Sequence, residues 1–211
     1  MYKEISLETF ASEVASLEPV PGGGSVSALA GALAAALAVM VALLTLKKER
    51  YADRESEMLQ LRDEAEQLQQ QLLAAVDQDA QSYRQVLAAF RLRKSTEKEK
   101  QKRAEALQAA FRKATEVPLE VAETALKVLE LTGNAARRGN PDMVTDAGVG
   151  ILLARAAALG ALMNAEFNLG SLKDRQLAAE MKTRIGRMKQ TVHQMEKQYL
   201  DSISLAANAG A

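Results

Sequence analysis

The chain of 211 residues contains no cysteine and no tryptophan, a single histidine (His193), and only eight Phe and Tyr in total. The absence of cysteine excludes disulfides and thiolate metal sites. One imidazole cannot form a cluster of histidine metal ligands. With so few rings, the core must be assembled from Ala, Leu, Val, Ile and Met. An excess of either charge is also missing: 27 basic and 27 acidic residues leave no net charge. The basic excess that accompanies nucleic-acid binding is therefore absent. No segment alternates in the manner of a strand, and apolar residues recur at helical spacing throughout. The opening MYKEISLETF has early acids and no apolar run, so it does not read as a signal peptide.

What is present is an all-α pattern of six to seven helices, expected to form one helical domain over residues 1–211. A short helix is expected from Ser6 as N-cap to about Leu17, with Leu7, Phe10, Val14 and Leu17 on its inner face. Residues 19–46 carry no charge at all; they open with Pro19-Val20-Pro21-Gly22-Gly23-Gly24 and continue as an Ala-rich helix from Ser25 to Leu46. That helix is long enough to cross a bilayer. However, eight of its 21 residues from Val26 to Leu46 are Ala and no aromatic belt flanks it. It reads better as a helix buried on all sides of a bundle than as a membrane span.

An amphipathic helix follows from about Ala52, with Met58, Leu61, Ala65, Leu68, Leu72, Val76, Tyr83, Val86 and Phe90 inward. Lys94-Ser95-Thr96 breaks it, and Thr96 with Glu99 predicts a capping box. The next helix is expected to kink or restart at Pro118 and to end at Gly133. Asn140-Pro141 predicts a new start, leading into a second small, apolar helix that runs to Leu169. The last helix is expected over Asp174–Leu205, with Leu177, Met181, Ile185, Met188, Val192, Met195 and Tyr199 inward. Two Ala/Gly-rich helices, apolar all round, are expected at the centre. Each needs neighbours on every side, which in a chain of this size favours a homodimer.

Several residues could carry chemistry. Gly22, Gly23, Gly24 and Ser25 open a helix, where exposed N–H groups favour an anion; a flexible turn is the alternative. Asp79 falls within an apolar stripe, where burial would raise its pKa toward that of a neutral-pH acid or base. Satisfaction by a buried Arg or by backbone is the alternative. Asp77 lies off the stripe and is expected in solvent. Asp146 sits in the first turns of the second apolar helix, either as a functional acid or as helix-start electrostatics. Asn164 and Asn168, one turn apart, could bond the edge of a heteroaromatic ring or tie two helices together. Lys47 and Tyr51 follow the first apolar helix and Lys94 lies in the next turn; the lysines are cations for an anionic tail or helix-end charge, and Tyr51 lies beside them. His193 reads as solvated. Asp146 and Asn164 are 18 residues apart on one helix, or ~27 Å. All these groups therefore serve one compact site only if an antiparallel dimer brings opposite ends together.

The segments PGGGSVSALAGALAAALAVMVALLTL, KKERY, DQDAQSYRQVLAAFRL, ATEVPLEVAE, GNPDMVTDAGVGILLARAAALGALMNAEFNL and SLKD occur in an order that resembles the formiminotetrahydrofolate cyclodeaminase/methenyltetrahydrofolate cyclohydrolase family over essentially the whole chain. Thr145 stands where the family usually has Ser, Ala165 replaces a common Val and Gly170 a common Pro. The resemblance implies an all-helical, usually dimeric fold. It also implies an enzyme of one-carbon tetrahydrofolate metabolism. Such an enzyme either closes 5-formiminotetrahydrofolate to 5,10-methenyltetrahydrofolate with release of ammonia, or hydrolyses methenyltetrahydrofolate to the 10-formyl compound. Both reactions transfer protons and require no metal and no further cofactor. Carried onto this chain, the resemblance implies Asp79 and Asp146 as catalytic acids or bases. Gly22, Gly23, Gly24, Ser25, Asn164 and Asn168 would contact the folate, and Lys47, Tyr51 and Lys94 its glutamate tail. The expected setting is the cytoplasm, with no membrane or nucleic-acid partner and a separate formiminotransferase as supplier. A non-catalytic helical scaffold or partner-binding protein of the same fold is the rival reading.

Overall fold

A computed structural model describes the backbone of residues 1–209 and the side chains of residues 1–203. Six α-helices follow in order: Leu7–Val14 (α1), Gly23–Leu46 (α2), Glu55–Phe90 (α3), Glu97–Arg138 (α4), Val144–Leu169 (α5) and Arg175–Ala209 (α6). Short 3-10 segments lie at Tyr2–Glu4, Glu49–Arg54 and Pro141–Met143, and there is no strand among the described residues.

Local sequence sets most of the boundaries. Ser6 Oγ accepts from Thr9 N and caps α1. Thr96 and Glu99 form the expected capping box at the start of α4, through bonds of 3.2 and 3.0 Å. Asn140 Oδ1 accepts from Asp142 N and opens the turn before α5, with Pro141 in the first position. Asp174 Oδ1 accepts from Leu177 N at the head of α6. The first helix is shorter than expected and buries only Phe10; Leu7 and Leu17 point into solvent, and Val14 is largely exposed.

One core draws on all six helices. Phe10, Val41, Met58, Leu72, Leu129, Ile151, Leu162, Ile185 and Val192 belong to it. At its centre α2 and α5 run antiparallel and pack through small residues. A Cβ on Gly31 would lie 3.3 Å from Ala157 Cβ, so the two backbones approach as closely as side chains permit. Thr45 locks the far end: its Oγ1 donates to Val41 O and accepts from Asn140 N, each at 2.8 Å or less, across 95 residues in the second case. Burial of α2 on every side is not met within one chain. Val26, Leu33 and Leu43 on α2, and Val149, Leu152 and Met163 on α5, form an exposed apolar face. By length and composition both helices could cross a membrane, but their inner faces are spent on this core. Tyr83 and Phe90, expected inward on α3, are also substantially exposed.

Helix α4 departs most from expectation. It runs uninterrupted through Pro118 and Gly133 to Arg138. Proline has no N–H, so the carbonyl four residues earlier loses its helical donor. That carbonyl is Ala114 O, and Asn168 Nδ2 of α5 donates to it at 2.7 Å. Thr115 Oγ1 caps the neighbouring Phe111 O in the same turn. The bond that Pro118 removes is thus replaced from another helix, and α4 need not break. Gly133 stays helical, and the Tyr199 ring of α6 occupies the space of its missing side chain.

This pairing predicts strong coupling. Asn168→Ala should cost about 1–3 kcal/mol in urea unfolding, since it orphans a buried carbonyl. Pro118→Ala restores the N–H, so the double variant should recover most of that loss. Additive losses would show that Asn168 serves some other group.

Candidate active site

The N-terminus of α2 is the centre of the site. Gly22 is its N-cap and supplies no side chain, so the first-turn N–H groups look outward. Asp79, three turns before the end of α3, occupies this position. A Cβ on Gly24 would collide with all three atoms of the Asp79 carboxyl group, so only glycine leaves room for it. Ser25 is fully enclosed; its Oγ lies 3.0 Å from Asp79 Oδ2 and 2.9 Å from Val76 O. The Ser25 N–H bonds the same carboxyl group. The anion that this helix end favours is therefore the protein's own aspartate.

Two effects oppose one another at Asp79. Burial disfavours its charged form, while the Ser25 hydroxyl and N–H favour it. Burial is the larger, and the Asp79 pKa lies above its ordinary value. Asn164 completes the wall. Its Nδ2 donates to Gly160 O at 2.8 Å, and its amide lies 3.5 Å from where a Gly23 Cβ would be. Gly23, Gly24, Ser25, Asp79 and Asn164 thus come together from three helices. The result is a half-buried carboxyl beside an amide, able to hold, donate or accept a proton next to a hydrogen-bonding edge.

The other expected residues divide into three groups. Asn168 faces Ala114 O rather than this site, because it serves the carbonyl freed by Pro118. Lys47, Tyr51 and Asp146 lie at the opposite end of α2 and α5. There the Tyr51 hydroxyl donates to Asn140 Oδ1 at 3.3 Å and its ring lies under the Arg50 and Arg54 guanidinium groups. Ser25 and Lys47 are 22 residues apart on one helix, or ~33 Å, so one protomer does not join the two ends. Lys94 is at the Asp79 end and lines a cleft of about 340 Å³ with Lys100, Arg103 and Lys173. Lys47 and Lys94 therefore do not share one cleft. The sequence reading missed Lys100, Arg103 and Lys173; in the fold the Gln108 side chain bonds Ser171 O and Lys173 N and brings that loop onto α4.

Asp77, expected in solvent, is instead partly buried. Tyr2 N donates to its Oδ1 at 2.6 Å, and its Oδ2 is enclosed without a partner. Tyr2 also donates through its hydroxyl to Val20 O, and Arg84 donates to that hydroxyl. The N-terminal segment thereby braces the turn that leads into Gly22. His193 is exposed, as expected.

A raised pKa has a definite consequence for stability. Below the ordinary aspartate value Asp79 is neutral in both folded and unfolded chains. As pH rises through its folded value, the folded state must ionise a buried group and loses stability. Asp79→Asn should therefore unfold at the same temperature as the parent near pH 3. At pH 7 it should unfold at an equal or higher temperature, read by circular dichroism. A marked loss at pH 7 would mean that the charge stabilises the fold.

Comparison with known proteins identifies the family. The formiminotransferase-cyclodeaminase family model matches residues 6–187. A methenyltetrahydrofolate cyclohydrolase of Methylorubrum extorquens is 37% identical over 175 residues, which cover 83% of this chain and 84% of that protein. The formimidoyltransferase-cyclodeaminase of Sus scrofa is 34% identical over 93% of this chain; the match spans only 36% of that longer protein. The crystal structure of a formiminotetrahydrofolate cyclodeaminase from Thermotoga maritima superimposes with a TM-score of 0.84 at 28% identity, covering 97% of this chain and 100% of that one. The chain belongs to the formiminotransferase-cyclodeaminase family.

Proposed function

We propose that this protein is an enzyme of one-carbon tetrahydrofolate metabolism in which Asp79 is the acid–base group. The reaction is cyclodeamination of 5-formiminotetrahydrofolate or hydrolysis of methenyltetrahydrofolate. The observation that carries the assignment is the Asp79 carboxyl, desolvated and held by Ser25 where Gly24 leaves room for it. Both reactions have the same proton economy. A nucleophile, N10 or water, loses a proton as it attacks the one-carbon unit, and a nitrogen gains one as it leaves, as ammonia or as N5. A carboxyl group whose pKa is raised toward neutrality can accept the first proton and return the second. This chemistry uses side-chain proton transfer and calls on no metal. The Asn164 amide beside Gly23 supports a contact to a pterin edge. The Lys94, Lys100, Arg103 and Lys173 cleft, at the same end of the bundle, suits the carboxylates of a glutamate tail.

The exposed apolar face of α2 and α5 supports a homodimer. α2 has no charge along this face, and the mid-helix charge of α5, Arg155, is turned to Glu196. If a second copy packs antiparallel across it, the Lys47–Tyr51–Asp146 end of one protomer meets the Asp79 end of the other. Asp146 and Lys47 then take part in the site. The cytoplasm is the expected setting, with a separate formiminotransferase supplying the formimino substrate.

Two absorbance assays test the reaction. Enzyme-dependent gain of the methenyl chromophore with ammonia release identifies the cyclodeaminase; accelerated loss of that chromophore identifies the cyclohydrolase. Asp79→Asn and Gly24→Ala should each lower turnover by about 100-fold or more while the protein remains helical. A folded parent protein silent in both assays moves the scaffold reading to the front. Sedimentation checks the assembly: Leu33→Asp should convert a dimer to monomer, and a dimer indifferent to it would place the interface elsewhere.

A further inference from the structure

Ser25 is enclosed completely, so its side chain is not a surface contact for substrate. Its hydroxyl oxygen lies within hydrogen-bond distance of two acceptors, Asp79 Oδ2 at 3.0 Å and Val76 O at 2.9 Å. A hydroxyl has one hydrogen to donate and lone pairs with which to accept. Val76 O lies inside α3, where the helix already provides it with a donor. The hydroxyl can therefore leave Val76 O without orphaning a buried carbonyl. The second fixed group is the Ser25 N–H, a first-turn donor of α2 with no other helical role.

We propose that Ser25 is the positioning residue of Asp79, its hydroxyl hydrogen turning between Asp79 Oδ2 and Val76 O as the carboxyl group loses and regains its proton. With Asp79 ionised, the Ser25 hydroxyl and N–H both donate to the carboxylate. With Asp79 protonated on Oδ2, the carboxyl O–H donates to Ser25 Oγ, and the serine hydrogen turns to Val76 O. Neither state leaves a buried polar atom unpaired, and the carboxyl group keeps one place in both. This is what a group that must accept and then return a proton requires. A fixed donor such as a lysine or an amide N–H would serve the charged state alone.

Other titratable groups do not intrude. α2 contributes none between Gly23 and Leu46. On α5, Asp146 lies at the far end, Arg155 pairs with Glu196, and Glu166 pairs with Lys189. Asp77, two residues before Asp79 on its own helix, accepts from Tyr2 N. From α4, Asn168 answers Ala114 O, and that side presents no charge at Asp79. The titration of Asp79 is governed by burial and by Ser25.

The inference rests on Asp79 as the acid–base group, and its test separates the two. The Asp79 carboxyl carbon is titrated by NMR in the ligand-free protein, for the parent, Ser25→Ala and Ser25→Thr, beside pH–rate profiles of each in the folate assay. Ser25→Ala removes a donor to the charged form, so its Asp79 midpoint should rise by about one pH unit. The pH–rate limb should move by the same amount, with kcat falling at least tenfold and KM nearly unchanged. Ser25→Thr keeps the hydroxyl and should bring the midpoint back. An Asp79 midpoint unmoved in folded Ser25→Ala overturns the assignment, whatever the activity. A midpoint that moves in a protein without folate turnover upholds the hydrogen-bond exchange and removes instead the reaction assigned to Asp79.

Discussion

Residues 19–46 form a run without a single charge, and the rest of the molecule is arranged around covering part of it. An α-helix of this composition is unstable in water unless neighbours take up its surface. α5 supplies the first neighbour through matched small residues, α3 the second and α4 a third. Close approach is possible because both central helices are made of Ala and Gly where they meet, as at Gly31 and Ala157. The short contacts between backbones also favour this register, since a shift of one residue would put the Cβ of Ala30 or Ala32 into the space that Gly31 leaves. The position of Asp79 against Gly24 follows from that register, and so does the position of Asn164 against Gly23. The site is thus a by-product of helix packing rather than a loop added to it.

The electrostatics of the site are equally a packing result. A helix N-terminus without a capping side chain seeks an anion, and a carboxyl group in an apolar stripe seeks donors. α2 and α3 each supply what the other lacks. The bonds do not fully offset the loss of water, and the residual cost appears as the upward displacement of the Asp79 pKa. A stable fold would tolerate a fully satisfied carboxylate, but proton transfer needs one held short of that. The partial compensation from Ser25 gives the group both a fixed position and readiness to change state.

Much of this was legible in the sequence where the signal is local. Ser6, the Thr96–Glu99 box and Asn140-Pro141 set helix starts by bonds within four residues, and the structure shows each of them. The periodicity of α3 placed Asp79 inward, and the composition of α2 and α5 marked them as a pair apart from the amphipathic helices. What failed was long-range. Pro118 reads as a break because proline breaks an isolated helix; the donor that prevents it, Asn168, lies 50 residues on. The same bond explains why Asn168 could not be told from a substrate contact by spacing. Asp77 read as solvated because its partner is a backbone N–H 75 residues away in sequence, at Tyr2. Leu7 and Leu17 fit an apolar face that finds nothing to pack against. The basic cleft was only partly seen, because Lys94 and Lys173 are brought together by the fold and not by sequence.

The missing side chain at position 24 has a consequence for how such a chain can change over evolutionary time. The Asp79 carboxyl group stands in the volume that any larger residue at 24 would claim. The two positions therefore cannot drift independently: a lineage that keeps the acid is held to glycine, and one that gives up the acid is released from it. A descendant with a side chain at 24 and a small neutral residue at 79 would keep the bundle and abandon the proton transfer proposed for Asp79. Covariation between these two positions, 55 residues apart, would then mark where catalysts of this fold end and purely structural descendants begin.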